Sequence, residues 1–399
     1  MNRPTRIPSV LLLGLASSLS VFGMAIVMPS VNSIAMAFDA TIASAQFVIS
    51  AYLFGLAIAQ PASGVLCDRF GRRPVMLGGF ALFTAASLLC AAADSLLLLI
   101  LARFLQAVGV SVGTVTSRAI LRDTRDGDRL AQAMSYIAAA MGLAPVVAPA
   151  IGGFIDSMMG YRVIFIVTAG LGCAVLFSMR RHLGETLSRE HVPPNWLTLR
   201  SSYRLLLTSP QFLGFTLIYG FKQGTLFCFL AIGAAYFDSA YGMDAKTFGA
   251  LWSMMAMTYV LGASLGARFT PSLGSDRIMK VSVWALFATG FLMLFIAAQE
   301  APPALLILSA LAILMFFAGS GTPPAMAGAI RHHPNMAGTA SGLSSAIGLI
   351  VGGCFTMASG ALYDGGFAPA ALLMFAATSA SAASWMLATR PVTRSGQFE

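Results

Sequence analysis

The sequence predicts an all-α membrane protein, built from twelve transmembrane helices in two pseudo-symmetric bundles of six. Three observations carry this expectation. Of 399 residues, 57% are hydrophobic and only 10% are charged, and the mean hydropathy is +0.81. Soluble domains carry about 25% charged residues, so a chain this size lacks the polar surface to face water and needs a bilayer around it. Twelve apolar runs approach the ~20 residues that cross a hydrocarbon layer of about 30 Å. The longest polar interruption, residues 181–210, falls after the sixth run.

The expected spans are 9–29, 43–66, 74–93, 96–118, 131–155 and 162–180, then 211–236, 247–268, 280–299, 303–325, 337–361 and 367–389. Each must be helical, because an isolated strand leaves backbone groups unpaired in lipid. The first run lacks a small-residue cleavage pattern and is followed by eleven more, so it reads as a retained span. Residues 1–180 form the first bundle, 181–210 a linker interrupted by Pro193-Pro194, and 211–399 the second bundle. Loops rich in Lys and Arg stay in the cytoplasm. All but four of the 24 Lys and Arg residues fall on the side holding both termini; the exceptions are Arg162 and Lys246 opposite, and Arg103 and Lys222 within spans. Both termini are therefore expected inside, in a bacterial inner membrane.

Composition also excludes several classes. The formal charge of +9 is scattered between apolar runs and forms no basic stripe for nucleic acid. The cysteines Cys67, Cys90, Cys173, Cys228 and Cys354 lie in or beside apolar runs without metal spacing. No phosphate-binding glycine loop followed by lysine occurs, so no cofactor and no ATP-driven step is expected, and the chain is not an enzyme.

Between spans 2 and 3 stands GVLCDRFGRRP, residues 64–74. It resembles the signature loop of the major facilitator superfamily, G-x-x-x-D-R-x-G-R-[KR]. The residues concerned are Gly64, Asp68, Arg69, Gly71, Arg72 and Arg73. Asp68 suits the positive end of a nearby helix, which the resemblance identifies as span 11; Gly64 permits close helix approach and Gly71 a tight turn. The resemblance further implies that Arg72 pairs with Asp123, a charge lock favouring the state closed to the cytoplasm and breaking in the other.

Span 4 and its exit read ARFLQAVGVSVGTVTSRAILRD, residues 102–123, and span 5 reads MGLAPVVAPAIGGFI, residues 141–155. These resemble the drug:proton antiporter branch and are most similar to its bicyclomycin-resistance subgroup. Gly142, Pro145, Pro149, Gly152 and Gly153 match the antiporter signature in general form. Two prolines four apart remove two backbone donors and bend the helix, while small residues let spans 5 and 8 close tightly; packing alone is the plainer account.

Charges at bilayer depth are costly and mark functional candidates. Arg103 sits in span 4 and Lys222 near the middle of span 7, with Tyr219, Gln223 and Thr225 about a turn away. Arg103 has a structural alternative, bridging carbonyls within the first bundle. The subgroup's acid in span 1, four residues before a proline, is absent: Pro29 is present but position 25 is Ala25. Two readings of the cations stay open. Either Arg103 and Lys222 make a positive cavity for an anionic substrate, or Lys222 carries the coupling proton. Gln106, Tyr52, Tyr136 and Trp252 complete the expected site. The implied function is secondary transport by alternating access, as proton-coupled efflux of a drug-like or anionic organic compound by a monomer; the alternative is an uptake symporter or exchanger for a metabolite anion.

Overall fold

The computed structural model describes residues 8–187, 196–299, 302–331, 333 and 336–390. Among them, twelve helices are long and apolar enough to cross a bilayer. Span 1 runs from Val10 to Ala25, passes through a tight turn at Met28–Ser30 where Pro29 removes a backbone donor, and resumes at Val31–Ala37. Spans 2 to 6 are Ile42–Phe70, Arg72–Ala91, Leu96–Thr124, Gly127–Met159 and Tyr161–His182. Spans 7 to 12 are Pro210–Tyr241, Ala245–Leu273, Ser275–Ala297, Ala304–Arg331, Ala337–Ala361 and Ala368–Ala388. The linker carries a helix of its own, Trp196–Thr208, and Pro193-Pro194 lies outside the described residues.

Helix starts follow local chemistry. The side chains of Ser9, Thr41, Ser95, Ser209 and Asp244 each accept a bond from a backbone N–H three residues on, which satisfies one orphan donor of the first turn. Spans 2 and 3 meet at Gly71, whose φ of 98° is open to glycine and strained for other residues.

Spans 2 and 11, and spans 5 and 8, form the seam between the halves. On the side away from the linker the halves touch closely. Asn32 Nδ2 donates to Asp238 Oδ2 at 2.6 Å, Gln46 Nε2 donates to the Ala231 carbonyl, and Ala150 N–H donates to Ser253 Oγ at 3.2 Å. On the linker side they part around a cleft of about 440 Å³. The molecule is thus closed at the far end and open at the linker end.

Candidate functional site

The cleft is walled by Gln60, Asp68, Arg118 and Arg122 of the first half, Tyr203 of the linker helix, and the start of span 11 near Ser341. Arg118 is its deepest cation. Its Nη2 lies 3.8 Å from Met141 Sδ, and across the seam Tyr219 lies within electrostatic reach. Tyr219 in turn faces Tyr259, whose hydroxyl lies near Thr322. Among the described residues Arg118 makes no ion pair. A fork of donors at the cleft wall with Tyr219 in reach has the shape to bind a planar anion such as a carboxylate. Tyr203 is shielded enough that burial pushes its hydroxyl pKa up.

Arg103 lies elsewhere, fully enclosed within the first half. Its guanidinium donates to the carbonyls of Gly23 in span 1 (3.1 Å) and Val48 in span 2 (3.3 Å), and to Gln106 Oε1 (2.5 Å). Gln106 Nε2 passes the chain on to Ser87 of span 3 at 2.7 Å and Thr168 of span 6 at 3.4 Å. The Tyr52 ring covers the guanidinium at 4.1 Å, a cation–π contact, while its hydroxyl donates to the Ser20 carbonyl at 2.9 Å. This clasp joins five of the six spans of that half. The bridging alternative for Arg103 is the one its geometry matches.

Lys222, 1% exposed, is turned the same way in the second half. Its Nζ donates to Ser282 Oγ of span 9 at 2.7 Å and lies against Gly321 of span 10, where a Cβ would sit 1.8 Å from it. Ser282 then donates to the Phe317 carbonyl at 2.6 Å. The expectation that Lys222 and Arg103 together make a positive substrate cavity is therefore corrected: each points into its own bundle, and neither lines the cleft. No carboxylate pairs with either among the described residues. Gln223 is half-buried, without a hydrogen-bond partner among the described residues. Tyr136 is 59% exposed and absent from the cleft lining. Trp252 stacks between Phe229 and Phe248, at 6.0 and 6.5 Å, in an aromatic cluster at the far end of the second half.

The signature loop forms a compact ionic cluster. Arg72 Nη1 donates to Asp68 Oδ1 at 2.6 Å and its Nε to Asp123 Oδ2 at 3.0 Å. Glu185, beyond span 6, caps span 3: its carboxylate accepts from the backbone N–H of Arg72 (2.8 Å) and of Arg73 (3.2 Å). It also crowds Gly71, where a Cβ would lie 2.5 Å from Glu185 Oε2. Arg73 Nη2 reaches the Arg180 carbonyl at 3.4 Å, and Arg69 lies over the Phe70 ring. The expected breaking of the Arg72–Asp123 pair when this side opens does not occur: the pair is intact beside an open cleft, because both partners belong to the first half and travel together. Asp68 and Gly64 line the cleft wall opposite Gly338 and Gly342 at the start of span 11, so the partner expected for Asp68 stands across the gap.

In span 5 the small residues divide the work. A Cβ on Gly153 would lie 2.2 Å from the Ala245 carbonyl oxygen of span 8, and one on Gly249 would lie 2.4 Å from that of Pro149. Gly152 instead packs on span 1, where a Cβ would lie 1.9 Å from the Ile26 oxygen. Gly142 meets nothing within 4 Å, so its expected packing role is corrected. Pro145 and Pro149 sit inside one continuous helix, and the N–H just after Pro149 is the one handed across the seam to Ser253.

Sequence reasoning missed Arg118 and Glu185. Arg118 stands at the last position of the expected span 4; that helix continues to Thr124, which sets it inside the cleft. Glu185 follows the basic run Arg180-Arg181-His182, and no spacing ties it to Gly71.

Two six-helix halves that touch at one end and enclose a polar cleft at the other constitute a secondary transporter working by alternating access. The sequence profile of the Major Facilitator Superfamily matches residues 13–357, and the chain belongs to that family. It is 29% identical over 348 residues to a bicyclomycin resistance protein homolog of Haemophilus influenzae, covering 86% of each chain. It is 28% identical over 362 residues to multidrug resistance protein D of Escherichia coli, covering 91% of this chain and 89% of that one. To a chloramphenicol resistance protein of Pseudomonas aeruginosa it is 27% identical over 342 residues, covering 85% and 80%. Its fold is similar to that of a bacterial homolog of the human lysosomal transporter Spinster in an inward-facing conformation, with a TM-score of 0.73, 16% identity and 95% of each chain covered. It is also similar to a D-xylose-proton symporter, with a TM-score of 0.73, 14% identity, and 93% and 95% covered.

Proposed function

We propose that this chain is a proton-coupled exporter of a drug-like organic compound bearing an anionic or carboxylate group. It works as a monomer in a bacterial inner membrane, with the linker side and both termini in the cytoplasm and with residues 1–180 and 211–399 rocking as the two halves. The observation that carries the reading is Arg118, an arginine without an ion pair among the described residues, set opposite Tyr219 in a cleft that opens toward the linker. Opposite charge on the cargo offsets part of the cost of desolvating that guanidinium. The relatives are named for resistance to bicyclomycin, chloramphenicol and multiple drugs, which supports the direction of transport. The basic loops on the linker side support the orientation.

Purified protein in liposomes, given a radiolabelled carboxylate-bearing drug, with neutral chloramphenicol in parallel, and an imposed pH gradient, tests this. Movement of drug against the direction of the proton gradient is the expected result. Accumulation of drug on the side to which protons flow would overturn export in favour of symport, and drug flux indifferent to the gradient would overturn proton coupling.

A further inference from the structure

At the far end of the first half lies one buried carboxyl group that the cleft does not use. Asp156, near the end of span 5, is 8% exposed and is the only buried Asp or Glu among the described residues. Its Oδ2 accepts from Ser33 Oγ at 2.6 Å. Its Oδ1 is buried without a hydrogen-bond partner, and so is the Ser30 hydroxyl, which stands close enough to act on the same carboxyl. Both serines come from the turn and short helix that complete span 1.

We infer that Asp156, Ser30 and Ser33 form a proton-binding site whose occupation holds the far side of the transporter closed. Three features converge. First, an ionised carboxylate met only by serine hydroxyls, with no cation beside it, is costly in a site closed to water, whereas a proton on Oδ1 removes the charge and can be donated to Ser30 Oγ.

Second, no cation pairs with the carboxyl among the described residues. The elements packed around Asp156 carry Lys246 at the start of span 8, Tyr161 and Arg162 at the start of span 6, and Asp238 at the end of span 7. The Lys246 ammonium lies over the Phe154 ring at 5.9 Å. Arg162 donates to the Ala93 carbonyl and to the Tyr161 hydroxyl, and Asp238 is held by Asn32. None of them forms an ion pair with Asp156 among the described residues.

Third, the site adjoins the seam. Gly153, about one turn earlier on the same helix, packs on the Ala245 backbone of span 8. The turn and short helix of span 1 that cover Asp156 also pack on spans 7 and 8 of the other half, so parting the seam uncovers the carboxyl to outside water, and closing it favours the neutral group. The proton is taken from outside water onto Oδ1 and returned there when the seam parts, with no other bond made or broken. Occupation therefore favours the far-closed conformation by linkage, since the proton binds one state better than the other. The device acts on the conformational equilibrium whichever ion drives transport, so it stands independently of the proposed coupling.

The test uses the full-length protein in nanodiscs with spin labels at Asp94→Cys and Asp364→Cys, on outer loops of opposite halves, after Cys173 and Cys354 are replaced by Ala. In sodium-free buffer, wild type should shift toward the short, far-closed distance as pH falls from about 9 to about 5, by up to about tenfold in population ratio per pH unit across the binding range. Asp156→Asn, which mimics the neutral acid, should stay far-closed throughout. A wild-type distribution indifferent to pH, a response that follows sodium instead, or an Asp156→Asn protein with the wild-type pH response would each overturn the inference. Infrared difference spectra supply a readout that needs no conformational label: a protonated-carboxyl band present in wild type and missing in Asp156→Asn supports the site, and its absence from wild type sinks it.

Discussion

Gly152 and Gly153 are neighbours in sequence and in chemistry, yet the structure assigns their substitution opposite consequences. In Gly153→Ala the new Cβ would lie 2.2 Å from the Ala245 carbonyl oxygen and 3.2 Å from the Lys246 Cα of span 8. Carbon and oxygen settle at about 3.3–3.6 Å even in favourable contacts, so spans 5 and 8 must separate by about 1 Å. The obstacle is backbone and cannot rotate aside. Overpacking of this kind costs about 1–3 kcal/mol, and it falls only on the state in which the far ends touch. A coupling of that size shifts the population ratio roughly 5- to 150-fold toward the conformation open at the far end. Gly152→Ala meets the Ile26 oxygen at 1.9 Å, but that oxygen belongs to the same half, so the strain is present in both conformations and lowers thermal stability without moving the ratio. Double electron–electron resonance between labels on opposite halves, run beside thermal unfolding, separates the two outcomes. An unmoved distance distribution in Gly153→Ala, or a larger shift in Gly152→Ala, would refute the assignment of spans 5 and 8 to the moving seam.

Three further outcomes follow from the site. Arg118→Gln should weaken binding of a carboxylate-bearing probe about 10- to 150-fold, as expected for loss of a charged hydrogen bond worth about 1.5–3 kcal/mol, with an unchanged melting temperature; calorimetric titration of the purified protein checks it. Asp123→Asn should cost only about 1 kcal/mol, because Arg72 keeps Asp68 and the cluster is partly solvated, and thermal unfolding in detergent measures it. Lys222→Met should fold with stability within about 1 kcal/mol of wild type, since the ammonium has one acceptor and no carboxylate to lose, and should retain drug transport in liposomes. Loss of transport by a well-folded Lys222→Met protein would return that side chain to the transport cycle.

The twelve spans were legible because a bilayer imposes a length and a composition, and both can be read residue by residue. Span 11 begins and ends where the apolar run does, at 337 and 361. The signature loop was legible for a related reason: Gly71 needs a backbone that only glycine adopts easily, and Arg72 needs acids close by in three dimensions. What could not be read was azimuth. Lys222 stood out by depth, but which neighbour it faces depends on how span 7 is rotated against spans 9 and 10, and periodicity is uninformative in a helix buried nearly all round. Arg118 stayed hidden for the converse reason. It lies near a helix end, where hydropathy cannot distinguish a residue in a loop from one on a water-lined wall, and only the extension of span 4 to Thr124 decides it. Asp156 stands at the end of an apolar run like any helix-end acid, and its burial comes from span 1 folding over it, a long-range fact absent from its own surroundings.

The Arg103 clasp has a consequence for how this half tolerates change. Two of its bonds end on main-chain oxygens, at Gly23 and Val48, and every amino acid supplies such an oxygen. The anchor therefore makes few demands on which side chain stands at position 48, only on the path of the backbone there. Sequence can drift around a fastening of that kind while the five helices it gathers continue to swing as one piece.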